Sequence, residues 1–118
     1  MHRVIHRNEL LKKNIHNLHH GSKKPFPLDY IYVNTIELLL GFIGFIIPIL
    51  LFKVNIISFW LATTLRQIDE LFIHDSKNKK NLGIISTPYS HYLHHKKGGG
   101  NYASMFIFWD KIMKTTIY

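Results

Sequence analysis

Residues 33–52 read VNTIELLLGFIGFIIPILLF, twenty consecutive positions with a single carboxylate, Glu37, near the start. At a rise of about 1.5 Å per residue, a helix of that length covers the ~30 Å hydrocarbon layer of a bilayer. Gly41, Gly44 and Pro48 would weaken a helix in water. In a membrane they are tolerated, because neighbouring groups re-satisfy the backbone. Lys53–Asn55 then reads as a tight turn, and IISFWLATTLRQIDELFIH, Ile56 to His74, as the returning arm. Up to Leu65 that arm is too short to span alone. Beyond it come Arg66, Gln67, Asp69 and Glu70, while Leu65, Ile68, Leu71 and Phe72 keep an apolar stripe at helical spacing. The pattern predicts a membrane hairpin over 33–74 whose second helix leaves the bilayer and continues into the cytoplasm. The alternative is a buried hairpin in a soluble protein, which the charges of the second arm also permit. The apolar run begins too far along the chain to read as a cleavable signal peptide.

Charge supports the membrane reading. The formal net charge is +8, and of fifteen Lys and Arg residues six lie in 1–27 and seven in 75–118, leaving only Lys53 and Arg66 between. Basic flanks are retained on the cytoplasmic side, so both ends of a hairpin belong there. A basic chain can also bind nucleic acid, but no groove-reading motif accompanies this charge, and that class is set aside. The absence of cysteine excludes a disulfide framework and thiolate metal sites. Any metal here must use imidazole, carboxylate or water.

Imidazole is abundant. All nine histidines fall in four places: His2-x3-His6, His16-x2-His19-His20, His74 alone, and His91-x2-His94-His95. Residues three and four apart share a helix face, so each group can aim several rings at one point. Neutral imidazole is the commonest protein metal ligand. A hairpin that crosses twice would return all nine to one membrane face. One straight helix from residue 2 to residue 20 would separate its ends by about 27 Å, too far for one site. The chain must therefore break between Arg7 and Lys13, or the first two groups must serve different metals. Nine candidate ligands exceed the four of a structural zinc site and suit two ions, each with an open position. For individual residues a plainer role competes. His74 could be an interfacial residue at a helix end, His19 points off the His16/His20 axis of an ideal helix and could be exposed, and the whole set could be a titrating surface.

The order of these groups around an apolar hairpin resembles the fatty acid hydroxylase and sterol desaturase superfamily. HRVIHRN and LLKKNIHNLHHGSKKP resemble its first two histidine boxes, and HYLHHKKGGGNYASMFIFWDKIMKT resembles its last box and closing signature. The resemblance covers essentially the whole chain. It implies a membrane-bound oxidoreductase with two iron ions (zinc could substitute in purified material) that uses O2 to hydroxylate or desaturate a fatty acyl chain, sphingolipid or sterol. It also implies an external electron donor, a reductase or b-type cytochrome. By the same resemblance His2, His6, His16, His19, His20, His74, His91, His94 and His95 are the metal ligands, and Asn101 and Tyr102 support them. Trp109 and Asp110 match a further pair, for which packing and capping of the last helix serve as well as a catalytic role. Gly98 to Gly100 are expected to turn the chain sharply with positive φ.

The implied architecture is all-α: a membrane helical hairpin with a histidine-rich helical cap on the cytoplasmic face. Within 1–118, residues 1–27 carry the first boxes, 33–74 the hairpin, and 75–118 the last box and a C-terminal helix. Two departures stand out. Relatives of this kind carry membrane helices ahead of the first box, so the resemblance implies an N-terminally shortened form, whose first turn around His2 should fray. HDS at 74–76 also differs from the His-Ser-Gly often found there. Two rival functions follow: a catalytically inactive metal-binding membrane remnant, and a basic membrane-surface interaction module whose histidines only titrate.

Overall fold

The computed structural model describes residues 1–77 and 85–118. Lys79 and Lys80, two of the basic residues counted in the C-terminal flank, lie outside the described residues. The described chain is helical and contains no strand, only an isolated antiparallel bridge between Ile85 and Phe106.

Of the two alternatives the histidine spacing left open, a break between Arg7 and Lys13 is present, at Asn8. Helix α1, His2–Arg7, stops at Asn8, whose backbone is extended at φ −108°, ψ 110°. The same residue starts α2, Glu9–Leu11, because its Oδ1 accepts the otherwise unpaired amides of Leu10 (3.0 Å) and Leu11 (3.1 Å). The chain then widens into a single π-helical turn, Lys12–His16, and tightens into a 3-10 turn, His19–Gly21. Such a local change of helical pitch re-aims side chains without leaving the helix path. A second 3-10 turn, Pro27–Ile31, leads into the hairpin.

Helix α3, Thr35–Phe52, and helix α4, Ile56–Ile73, are the two arms. Each is started by an asparagine: Asn34 Oδ1 accepts the Ile36 amide at 2.9 Å, and Asn55 Oδ1 the Ile57 amide at 2.8 Å. Lys53, left-handed at φ 46°, ends α3 and opens the turn. Among the described residues α3 is the one helix long and apolar enough to cross a membrane, with mean hydropathy 2.4 and none of its span buried by the rest of the chain. It presents Leu38, Leu39, Phe42, Ile43, Ile46 and Ile47 outward. Helix α4 does not reach that hydropathy, in line with the charges in its second half. It packs on the Pro27–Ile31 turn and on α5, Pro88–Lys97.

Helix α5 begins with a reciprocal cap, Ser90 N–H to Thr87 Oγ1 (3.2 Å) and Thr87 N–H to Ser90 Oγ (3.1 Å), with Pro88 at the first helical position. It ends at Gly98, left-handed at φ 73°. The chain doubles back through Gly100 and a short helix α6, Phe108–Ile112. Asp110 bolts this return in place: its carboxylate accepts Tyr102 N–H (2.9 Å), Ala103 N–H (2.8 Å) and Thr115 Oγ1–H (2.6 Å). That clamp accounts for Asp110, while Trp109 stays 57% exposed and packs on nothing central.

The interior is unusual. Among the described residues the buried apolar side chains are Ile5, Ile15, Ile73 and Leu93, joined by Pro25 and Pro88, whereas eight histidines are buried with them. The centre of this fold is imidazole.

Candidate metal centre

The nine histidines converge into two groups. His2, His6, His16, His20 and His94 form one, and His19, His74, His91 and His95 the other; within each, the available ring nitrogens all lie within 4.8 Å of one another. His2 is part-buried and the other eight are buried. Neither His19 nor His74 stands apart at a surface.

The division follows helix geometry. On an ideal helix a residue three along lies about 60° to one side and a residue four along about 40° to the other, so rings within one box that share a broad face can still be aimed apart. His16 and His20 enter the five-histidine group together, and His19 turns to the other. The last box does the same with the groups exchanged: His91 and His95 enter the four-histidine group and His94 the five. His2 and His6, one turn apart on α1, complete the first group, and His74 at the end of α4 completes the second. The off-axis position of His19 is thus what delivers it to the second group.

The rings are held through their Nδ1 atoms. Nδ1–H donates to a main-chain carbonyl in His2 (Tyr102, 2.9 Å), His6 (Gly98, 3.2 Å), His94 (Gly100, 2.7 Å), His95 (Ser22, 3.0 Å) and His74 (Glu70, 2.7 Å). In His16 it donates to Glu37 Oε1 at 2.5 Å. A carbonyl or carboxylate can only accept, so Nδ1 carries the proton and Nε2 of the neutral ring is a bare lone pair. These lone pairs face one another. His2 Nε2 and His16 Nε2 are 3.0 Å apart with no proton to share, and His94 Nε2 is buried without any partner. His20 Nε2 lies 3.1 Å from both His6 and His16. In the second group His91 Nε2 is 3.0 Å from His74 and 3.1 Å from His95, and His74 Nε2 is 3.4 Å from His19.

Converging lone pairs repel unless a cation lies among them. Two nitrogens each about 2.1 Å from one ion stand about 3.0 Å apart at a right angle and about 3.4 Å apart at the tetrahedral angle. The shortest separations fall in that interval and the rest stay within 4.8 Å, so the donor set fits a metal ion in each group. Protonation is disfavoured for the same reason. Burial, reinforced by neighbouring imidazoles, lowers His6 and His95 from 6.5 to about 4 and His20 to about 2. His2, His19, His91 and His94 are also pushed down, chiefly by burial. Neutral imidazole is the form that binds metal.

Tyr102 and Asn101 act in different ways. Tyr102 supplies the carbonyl that fixes His2, and its ring lies 5.2 Å from His6 and 5.6 Å from His94, centroid to centroid. Asn101 touches no histidine. Left-handed at φ 49° and buried, it donates Nδ2–H to Ser90 O (3.1 Å) and Ile117 O (3.0 Å) and accepts Ile117 N–H (2.9 Å), tying α5 to the C-terminal segment. Gly98 and Gly100 have positive φ, as expected of the triple glycine. Their carbonyls prove to be ring acceptors, which no spacing rule reveals. Glu37 was legible only as the lone carboxylate of an apolar run; its pairing with His16 comes from the structure.

Comparison with known proteins places the arrangement. The chain is 30% identical over 122 residues to methylsterol monooxygenase 1 of Rattus norvegicus, covering 99% of this chain and 41% of that protein. It is 31% identical over 123 residues to methylsterol monooxygenase 2-2 of Arabidopsis thaliana (97% and 46%), and 28% over 123 residues to sphinganine C4-monooxygenase 1 of the same plant (98% and 47%). The chain thus spans less than half the length of these relatives. No solved structure matches it. The family model described as fatty acid hydroxylase matches residues 1–115, nearly every residue from the first histidine box to the end of the Asp110 clamp, and the chain belongs to the fatty acid hydroxylase family.

Proposed function

We propose that this chain forms the metal-binding part of a membrane-bound lipid oxygenase, with all nine histidines as ligands of two iron ions. One observation carries the reading: nine imidazoles converge in two groups, and in the first the Nε2 atoms of His2 and His16, each ring held by Nδ1–H donation, face one another at 3.0 Å. Iron at these positions supplies the redox and O2 chemistry that an unactivated C–H bond requires and that zinc lacks. The overall change is R–H + O2 + 2 e⁻ + 2 H⁺ → R–OH + H2O, the electrons coming from an external reductase or b-type cytochrome. The names of the relatives favour a sterol or a long-chain sphingoid base as the lipid.

The residues of the chain bind and orient. Carbonyls of Ser22, Glu70, Gly98, Gly100 and Tyr102 hold the Nδ1 protons, so that the Nε2 lone pairs stay directed inward. Burial keeps the rings neutral and excludes bulk water. Helix α3 enters the bilayer and α4 brings the chain back to the side it left, so that both basic flanks lie on the cytoplasmic side, in the endoplasmic reticulum of a eukaryotic cell. A lipid substrate then reaches the centre laterally from the leaflet beside α3 and α4.

Metal content per chain tests the reading, measured by elemental analysis of protein purified in detergent without a histidine tag. Two irons are expected. His94→Ala and His95→Ala are each expected to lose one, because these adjacent residues serve different groups. Metal near zero, or unchanged in both variants, would sink the metal centre. Two irons with no oxidised product from a methylsterol or sphinganine, given O2 and a reductant, would leave a binding protein and refute turnover.

A further inference from the structure

We propose that Glu37 is a positioning residue of the metal centre, orienting His16 and strengthening it as a donor, so that the five-histidine group alone depends on a charge carried by the membrane-crossing helix. The inference rests on the metal-centre reading above. Its first support is the contact itself. Glu37 Oε1 accepts the His16 Nδ1 proton at 2.5 Å, across 21 residues of sequence, with the ring 2% and the carboxylate side chain 17% exposed. That distance belongs to charge-assisted hydrogen bonds.

The second support is contrast. The five other Nδ1 donors identified in the centre end on neutral main-chain carbonyls. Glu70 approaches the four-histidine group, but its Oε2 is 3.8 Å from His74 Nδ1, beyond hydrogen-bond range, and it is already paired with Arg66 at 3.0 Å. A carboxylate on the far nitrogen raises the basicity of the ligating one and fixes the ring plane. Among the described rings only His16 receives that treatment.

The third support is an unmet need. Glu37 Oε2 is buried without a hydrogen-bond partner. A half-satisfied carboxylate in that position is costly unless positive charge lies close by. No lysine or arginine pairs with it among the described residues. The five converging lone pairs beyond His16 are where a cation would lie. An acidic residue in the first turn of a helix also interacts well with the helix dipole. The dipole accounts for an acid at this position, but not for its burial against a ring from another element.

The test uses the full chain in detergent micelles loaded with cobalt(II), followed by its visible absorption and by release of the ion to a chelator. Glu37→Gln keeps an oxygen that can accept the His16 proton and removes only the charge. Glu37→Asp keeps the charge on a shorter arm. His95→Ala serves as the background that isolates the five-histidine group. In that background Glu37→Gln is expected to weaken cobalt retention by about 10- to 100-fold and to shift the absorption bands. Glu37→Asp should recover at least part of both. In a His94→Ala background, which leaves the four-histidine group, Glu37→Gln should change neither. Retention and spectrum identical to the parent in the His95→Ala background would overturn the role of Glu37 and leave the metal centre standing. Equal loss in Glu37→Gln and Glu37→Asp would overturn the role of the charge. A parent chain that binds no cobalt would remove the metal centre itself, and this inference with it.

Discussion

His94 and His95 are neighbours in sequence and belong to different groups, which shows how finely single residues partition this centre. Gly100 shows the same economy in the backbone. Its carbonyl accepts the His94 ring at 2.7 Å, and its φ of 112° lies where residues with a Cβ are strained. A Cβ at this position would also fall 2.6 Å from Thr115 O and 2.8 Å from Ile117 Cγ2. Gly100→Ala should therefore lower stability by about 1–3 kcal/mol through strain alone and loosen the hold on His94. Thermal melting and metal content of the variant check this; a melting temperature equal to that of the parent would contradict it. The glycine run announced a sharp turn from its sequence. Nothing in the sequence said that one of its carbonyls would orient a ring, because a carbonyl leaves no residue-type signature.

At the scale of elements, three kinds of signal have different legibility. The apolar run of α3 was plain, since length and hydropathy are local properties. The break between α1 and α2 was one of two answers to a distance argument, and its location at Asn8 depended on that side chain capping the following turn. The π turn at Lys12–His16 had no sequence sign at all, because its pitch is set by where His16 must point. The crossing of α3 is testable in isolation from the chemistry. Ile43 sits near the middle of the helix and is 46% exposed within the chain. Ile43→Arg should cost membrane insertion about 2.5–3.5 kcal/mol. Extraction of isolated membranes with alkaline carbonate should then release more of the variant than of the parent. Equal resistance to extraction would place α3 outside the bilayer.

Across the whole molecule, a centre made of imidazole ties folding to protonation. In the unfolded chain His6, His20 and His95 titrate near 6.5, whereas in the fold His6 and His95 are lowered to about 4 and His20 to about 2, first by burial. The unfolded state therefore binds more protons between these values, and folding stability falls with decreasing pH. The contribution is fully present above about pH 6.5 and is lost progressively as the pH drops toward 4 and below. Metal-free protein should show a melting temperature that declines steadily from pH 7 to pH 4.5, and loaded protein should resist that decline, since the ion binds the neutral rings. A flat profile for the metal-free chain would show that the rings are not buried as described. Among the described residues four aliphatic side chains are buried beside eight histidines, and metal binding should supply much of the folding energy.

The sequence by itself determined the long apolar helix, the basic flanks and the inventory of histidines, because each is written in local composition and spacing. It also marked His19 as lying off the His16/His20 axis of an ideal helix, since 3.6 residues make a turn. Only the tertiary structure decided which rings share a group, that His2 joins His94 across ninety-two positions, and that Glu37 reaches His16. Those pairings depend on how α1, α3 and α5 approach one another in space. That approach is fixed by caps, turns and carbonyl acceptors from every part of the chain, and no window of the sequence contains it.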